Sequence, residues 1–159
     1  MREINFRGKC IKTGNWVYGD LCQDPKINFV GILRKADKPY ELLIAGGADF
    51  YFKVKQVDSE TVGEYTGVKG KKENKIYEGD IFAYHFDSKK VGIVKFGQYR
   101  NPCDDIHTSH VGFYVEWQDK FFRKMTRCDL AYWAIVSDVV GNVSDNPELI
   151  EGSGEICLP

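Results

Sequence analysis

Residues 75–84 read KIYEGDIFAY, and this stretch decides the fold class. Its centre, Glu78-Gly79-Asp80, is a turn signal, because glycine tolerates the left-handed backbone of tight turns and aspartate accepts hydrogen bonds from nearby amides. Large apolar residues flank the turn, with Ile76-Tyr77 before it and Ile81 to Tyr84 after it. Two short apolar runs around such a turn are typical of adjacent strands. The stretch therefore predicts β structure.

The same pattern occurs 60 residues earlier, where Gly19-Asp20 follows Trp16-Val17-Tyr18 and precedes Leu21. We interpret Gly19-Asp20 as a second Gly-Asp turn between strands, and Gly141-Asn142 as a further turn near the end of the chain. Small β-barrels often open a strand in this way, so the pattern favours a compact, barrel-like build.

Strand patterns dominate the rest of the chain. Residues 111–117 alternate large apolar with smaller or polar residues, as a half-buried strand does. Helix signals are short and fall at 58–61 and 146–150, and residues 129–136 fit either a short helix or a buried strand. The predicted fold is all-β, a small β-barrel-like domain over residues 1–150 with an N-terminal hairpin lobe and one to three helical turns. Residues 151–159, which begin with EGSG, are predicted to be a flexible tail.

Composition limits the classes of function. With a net charge of -1, the protein as a whole exerts no electrostatic attraction on nucleic acid or an anionic membrane. The five cysteines are scattered, so we expect reduced thiols in a cytoplasmic protein rather than a disulfide scaffold. The first residues lack the apolar segment of a secretion signal, and no apolar run approaches the roughly 20 residues that span a bilayer. We therefore expect no membrane association.

Three stretches in order resemble one known family. They are the opening MREINFRGK with the WVYGDL segment at 16–21, the central TVGEYTGV to KIYEGDI region at 61–81, and the closing VGNV and DNPEL at 140–149. Together they are similar to the YopX family of small proteins from bacteriophages and prophages. The turn at 69–74 departs from the family, because the Asn-Gly signal usual there is missing. The resemblance implies a predominantly β fold, homo-oligomers and a bacterial host cytoplasm, and it brings no catalytic residue and no cofactor.

The leading interpretation is thus a phage- or prophage-derived accessory protein, not an enzyme. It would act through contacts with an unidentified host or phage protein, or through self-association. The alternative is a nucleic-acid-binding module, and an enzyme of unrecognised type comes third.

The alternative depends on a lysine-rich turn. Lys69, Lys71, Lys72 and Lys75 could neutralise phosphates, and Tyr77 could stack on a base. An ordinary solvated hairpin tip explains the same lysines, and this explanation is the one we favour.

A second candidate lies in residues 103–110, CDDIHTSH. Cys103, His107 and His110 offer sulfur and nitrogen ligands of the kind that zinc takes. Asp105 beside His107 could also orient a base toward Cys103 or Ser109. No standard metal spacing is present, and catalytic triads are assembled by the fold rather than by sequence neighbours. A polar surface loop is the favoured interpretation.

Overall fold

A computed structural model describes residues 3–24, 29–35 and 52–151. Strands make up most of its regular structure. They are β1 (Phe6–Lys9), β2 (Trp16–Asp24), β3 (Phe29–Lys35), β4 (Phe52–Gln56), β5 (Gly63–Lys69), β6 (Lys75–Tyr77), β7 (Asp80–Tyr84), β8 (Asp87–Tyr99), β9 (His110–Trp117) and β10 (Asp138–Asn142). The helices are a 3₁₀ turn (Ser59–Thr61), α1 (Lys120–Met125), α2 (Leu130–Val136) and α3 (Glu148–Glu151).

The strands form two antiparallel sheets, in the orders β4-β3-β2-β1-β5-β6 and β10-β7-β8-β9. The all-β prediction, with short helical turns, is therefore confirmed. The barrel is not: among the described strands, no pairing joins the two ends of either sheet, and a barrel requires that closure. None of the helices in the described ranges is long and apolar enough to cross a membrane.

The chain divides into two compact units, Met1–Tyr65 and Thr66–Pro159. The first unit contains the predicted N-terminal hairpin, β1 with β2, in which Phe6 is opposite Gly19. Its core is a small cluster of Cys10, Val17, Ile32 and Val57. The single domain over 1–150 stays a prediction, and residues 152–159 of the predicted tail lie outside the described ranges.

The interpretation of Gly19-Asp20 as a turn is wrong. Both residues lie inside the continuous strand β2. A Cβ atom at Gly19 would clash with the backbone carbonyl oxygen of Leu33 on the neighbouring strand. Glycine is needed here because two backbones approach closely, not because the chain reverses.

Gly79-Asp80, by contrast, forms the predicted turn in the second unit. Gly79 has a φ of 83°, and the Asp80 carboxylate accepts a hydrogen bond of 2.8 Å from the Tyr77 amide. Strand β7 begins directly after this turn, and its residue Phe82 packs in a core with residues of β8, β9 and α2. The core residues are Ile76, Phe82, Val94, Val115, Trp117, Leu130, Trp133 and Ala134.

At the other predicted turn, Gly141 and Asn142 are the last two residues of β10. The Asn142 side chain accepts hydrogen bonds from the amides of Ser144 (3.0 Å) and Asp145 (2.9 Å). The chain therefore turns just after the predicted pair, and Asn142 supplies the bonds that hold the turn.

The helical turns predicted at 58–61 and 146–150 are present as the 3₁₀ turn and α3, and the segment 129–136, which fitted either helix or strand, contains helix α2. Helix α1 was not predicted. Its six residues include none that is buried, so no apolar periodicity reveals it. It begins at Asp119, whose carboxylate accepts hydrogen bonds from the amides of Phe121 (2.9 Å) and Phe122 (2.8 Å). This capping satisfies two amides that a helix start leaves without partners.

Candidate binding cleft

A cleft of about 340 Å³ opens in the second unit, outside the core. Four separate segments line it: the end of β7 with the β7–β8 turn (84–86), the turn at 102–103, the end of α1 with the following residues (125–127), and residues 132–133 of α2. The volume is at the lower end of the range for ligand pockets, about 300–1,000 Å³. It is large enough for one or two side chains of a partner.

Aromatic rings form one wall. The His85 ring lies 4.8 Å from the Tyr84 ring, 4.0 Å from the Phe86 ring and 6.3 Å from the Trp133 ring, measured between centroids. Tyr132 meets Trp133 edge-on at 5.0 Å. Trp133 is buried and anchors the wall to the core, because it also packs against Trp117 at 4.7 Å. Trp133 is therefore a fixed part of the wall.

The outer part of the wall is open to solvent. Phe86 is 81% exposed, Met125 69% and Tyr132 38%, and all three line the same cleft. Single exposed apolar residues are ordinary, but a group that shares one concave site is a candidate interaction surface.

The cleft also has a cationic side chain, that of Arg127. Its Nε donates a hydrogen bond of 2.8 Å to Asp129, and its guanidinium stacks over the Tyr132 ring at 4.7 Å. Its backbone carbonyl accepts a 2.8 Å bond from the indole of Trp133. The hydrogen bond to Asp129 raises the pKa of Arg127. Within the described residues, the two terminal nitrogens of the guanidinium make no hydrogen bond.

Asp129 precedes α2 at the capping position but makes no side-chain bond to the helix amides. Its carboxylate instead accepts from Arg127 and, at 3.4 Å, from the Tyr99 hydroxyl. Burial alone would raise the pKa of Asp129, but hydrogen bonds from Arg127 and Asn101 outweigh it and lower the pKa. Asp129 is therefore an ionised anchor for Arg127.

The proposed metal ligands are not gathered into a site. In the part of the chain that the structure describes, no three His, Cys, Asp or Glu side chains are placed to hold a metal ion. Cys103 lines the cleft, whereas the His110 ring pairs with Asp104 at 2.9 Å and stacks on Tyr99 at 5.1 Å. His107 is exposed. The metal prediction thus gains no support from the geometry.

Residues of the loop that suggested a nucleophile have structural partners. The Asp105 carboxylate accepts a hydrogen bond of 2.9 Å from the backbone amide of His107, and this bond holds the loop in its turn. The Ser109 hydroxyl accepts a 2.7 Å bond from Gln98. The Asp104 carboxylate accepts a 2.8 Å bond from the Asn101 amide, and this bond, with the one from His110, lowers the pKa of Asp104. These bonds are what a structured polar loop needs.

The lysine-rich turn joins β5 to β6 and is largely engaged with its own surroundings. Lys69 pairs with Glu73 at 2.9 Å, and Lys71 donates a 2.9 Å bond to the Val136 carbonyl at the end of α2. A cation at a helix C-terminus compensates the helix dipole. Tyr77 is only 5% exposed, so its ring is not available to stack on a base. The solvated-hairpin explanation fits this arrangement better than a nucleic-acid surface.

Sequence reasoning did not single out the cleft. One signal was present: the β7–β8 turn is His85-Phe86, where glycine, asparagine or aspartate is usual. Aromatic residues are not required by the turn itself, and their rings pack on Tyr84 and, for His85, on Trp133.

The fold and cleft define a small, mostly β protein with two antiparallel sheets and a cleft walled by aromatic rings. The family model described as YopX protein matches residues 5–151, nearly the whole chain. The chain therefore belongs to the YopX family, as the motifs indicated.

Among solved structures, the chain is similar to protein EF1440 from Enterococcus faecalis, known from a crystal structure. The two share 18% sequence identity with a TM-score of 0.43, over 94% of this chain and 99% of that chain. Comparison with curated proteins gives no match. Neither the name of the family nor that of the Enterococcus protein specifies an activity.

Proposed function

We propose that this protein is a phage- or prophage-derived accessory protein of the bacterial cytoplasm that acts through protein contacts, without catalysis. The contact site is the cleft. The observation that carries this proposal is that Phe86, Met125 and Tyr132 are all exposed within one concave site, beside an oriented arginine. The phage origin rests on the family, not on the cleft.

The residue types favour a protein partner. Aromatic residues, methionine and arginine are enriched at protein interfaces, and tyrosine and arginine recur among the residues that dominate binding energy. Covering the Phe86 side chain alone would stabilise a complex by about 2 kcal/mol, from the usual value for burying an aromatic side chain. Trp133, which is already fixed in the core, adds to this, since it loses little entropy on binding.

The same residues disfavour catalysis. His85 and Cys103 both line the cleft, yet no hydrogen bond joins these two described side chains, and a thiol nucleophile needs an adjacent base. The Arg127 charge is directed to Asp129, which holds it in place.

The test compares two phenylalanine variants of the full chain. Phe86→Ala removes a ring from the cleft, whereas Phe121→Ala removes a similarly exposed ring (74%) that does not line it. Tagged wild-type and variant proteins are used to capture binding proteins from a bacterial host, with quantitative mass spectrometry. We expect at least one protein that wild type and Phe121→Ala enrich equally and that Phe86→Ala loses.

Self-association is measured in parallel by sedimentation equilibrium over a wide concentration range. If the partner is a second copy, the mass rises with concentration in wild type and Phe121→Ala but not in Phe86→Ala. A monomer in all three, together with no protein whose capture depends on Phe86, contradicts the proposal.

A further inference from the structure

The geometry points to the chemistry of the partner: the cleft takes a peptide segment in which an aromatic side chain stands next to one carboxylate. This inference rests on the proposed function and names the class of segment bound. Its two parts have separate structural origins, the ring wall and the guanidinium.

The ring wall selects an aromatic side chain. Tyr84 ends β7, His85 and Phe86 form the β7–β8 turn, and Tyr132 and Trp133 of α2 belong to the same wall. Aromatic rings prefer edge-to-face or offset contacts with other rings, at centroid distances of about 4.5–7 Å. A cleft of about 340 Å³ has room for one such ring with its backbone.

The guanidinium selects the carboxylate. The Nε of Arg127 donates to Asp129, and one face of its guanidinium stacks on Tyr132. The two terminal nitrogens are therefore the hydrogen-bond donors that remain for a ligand. Those two nitrogens form a planar edge that matches a carboxylate. The Asp129 carboxylate and the indole bond from Trp133 fix the position of the residue, so little ordering is needed when a ligand binds.

The charge of the cleft favours a ligand with one carboxylate over a polyanion. Among the residues that the structure describes, Arg127 is the only Lys or Arg that lines the cleft. Asp129 already balances part of its charge. Single-stranded nucleic acid also stacks on aromatic rings, but its binding groove follows the backbone with several cations. The described lining of the cleft offers one cation, Arg127. A peptide with a single acid fits this charge, and an oligonucleotide is the competing outcome of the test.

The test uses short capped peptides and the full chain labelled with ¹⁵N. The peptides are acetyl-Gly-Glu-Phe-Gly-amide, its Gln-Phe analogue without the charge, and its Glu-Ala analogue without the ring. The chain has 3 tryptophans, so the indole signals report the site directly. Trp133 lines the cleft, Trp117 reports the core, and Trp16 belongs to the first unit.

We expect the Glu-Phe peptide to shift the Trp133 signal in a saturable way and to leave Trp16 unchanged. The Gln-Phe peptide should bind about fivefold more weakly, a modest factor because Arg127 is half exposed. The Glu-Ala peptide should bind more than about tenfold more weakly, because it has no aromatic side chain to bury. Arg127→Gln should remove the preference for Glu over Gln. Arg123→Gln is the matched control, since Arg123 is equally exposed, pairs with Glu116 and does not line the cleft.

Three results would overturn the inference. They are no saturable shift at Trp133 with any peptide, equal affinity for the Glu-Phe and Gln-Phe peptides, or a short oligothymidylate that shifts Trp133 at lower concentration than the Glu-Phe peptide. If any of them occurs while Phe86-dependent capture of a protein persists, the proposed function stands and only the partner chemistry is wrong. Unchanged Trp117 signals in the Arg127 and Arg123 variants verify that the core is intact.

Discussion

Gly92 of β8 offers the sharpest test of the second-unit core. It pairs with Trp117 on β9, and a Cβ atom added at Gly92 would clash with Cγ1 of Val115. The same atom would stand 3.0 Å from two ring carbons of Trp117. Val115 is 0% exposed and Trp117 is 1% exposed, so neither side chain can move outward. Gly92→Ala therefore overpacks the core.

The expected cost follows from the size of this clash. Inserting one carbon into a well-packed core costs about 1–3 kcal/mol. Replacing glycine by alanine also lowers the conformational entropy of the unfolded chain, which stabilises the folded protein by about 0.4–1 kcal/mol. We expect a net loss of about 1–2 kcal/mol in the free energy of unfolding, and a fall in Tm of about 2–8 °C for a chain of this size.

Gly112→Ala is the matched control. Gly112 lies on the adjacent strand β9, and no heavy atom of the described residues lies within 4 Å of the position that its Cβ would take. We expect its stability to equal or slightly exceed that of wild type. The assay is urea unfolding followed by circular dichroism, with Tm from thermal scans. Equal stability of the two variants would refute the packing of β8 against β9.

Three further predictions concern single residues outside this core. Glu73 has a left-handed φ of 60°, so Glu73→Gly should stabilise the protein by about 0.5 kcal/mol, because the relief of backbone strain exceeds the loss of an exposed ion pair with Lys69. Glu73→Gln keeps the strained backbone and should give no such gain. The midpoints of urea unfolding distinguish the two variants. Asp119→Ala should cost about 1 kcal/mol by the same measurement, with Asp119→Asn near wild type, because α1 loses its cap; equal stability of the two would contradict the capping role. The pKa of Asp104 is lowered by hydrogen bonds from Asn101 and His110, so its contribution to stability is present above the unfolded pKa of about 3.9 and lost as pH falls through the folded value. Wild type should therefore lose more stability than Asp104→Asn between about pH 5 and pH 3, and parallel losses would show that Asp104 makes no such contribution.

Local sequence predicted the elements whose cause is local. The turn at Gly79-Asp80 and the alternating strand at 111–117 follow from residue chemistry within a few positions, and both are present. Gly19-Asp20 has the same two residues in the same order, yet it lies within a strand. The difference comes from β3, whose Leu33 carbonyl approaches Gly19, and no local pattern contains that contact.

The cleft was beyond prediction for a related reason. Its lining comes from four segments that span residues 84–133, and none of them contains a recognisable motif alone. The loop at 103–110 drew attention because its ligand-type residues are consecutive, but the fold pairs His110 with Asp104 instead. Chemistry that depends on distant segments becomes visible only when the fold places them together.

Two aspartates at helix starts show where this chain departs from local rules. Asp119 caps α1 with two hydrogen bonds, as its position favours. Asp129 stands at the same position before α2, but its carboxylate holds Arg127 and the helix amides receive no side-chain bond. The forgone cap would contribute about 1 kcal/mol, and the bonds that Asp129 accepts instead from Arg127 and the Tyr99 hydroxyl together contribute about as much. The exchange is therefore close to neutral for stability, and departures from local rules of this kind concentrate at functional sites. The orientation of Arg127 in the cleft is what the protein gains in exchange.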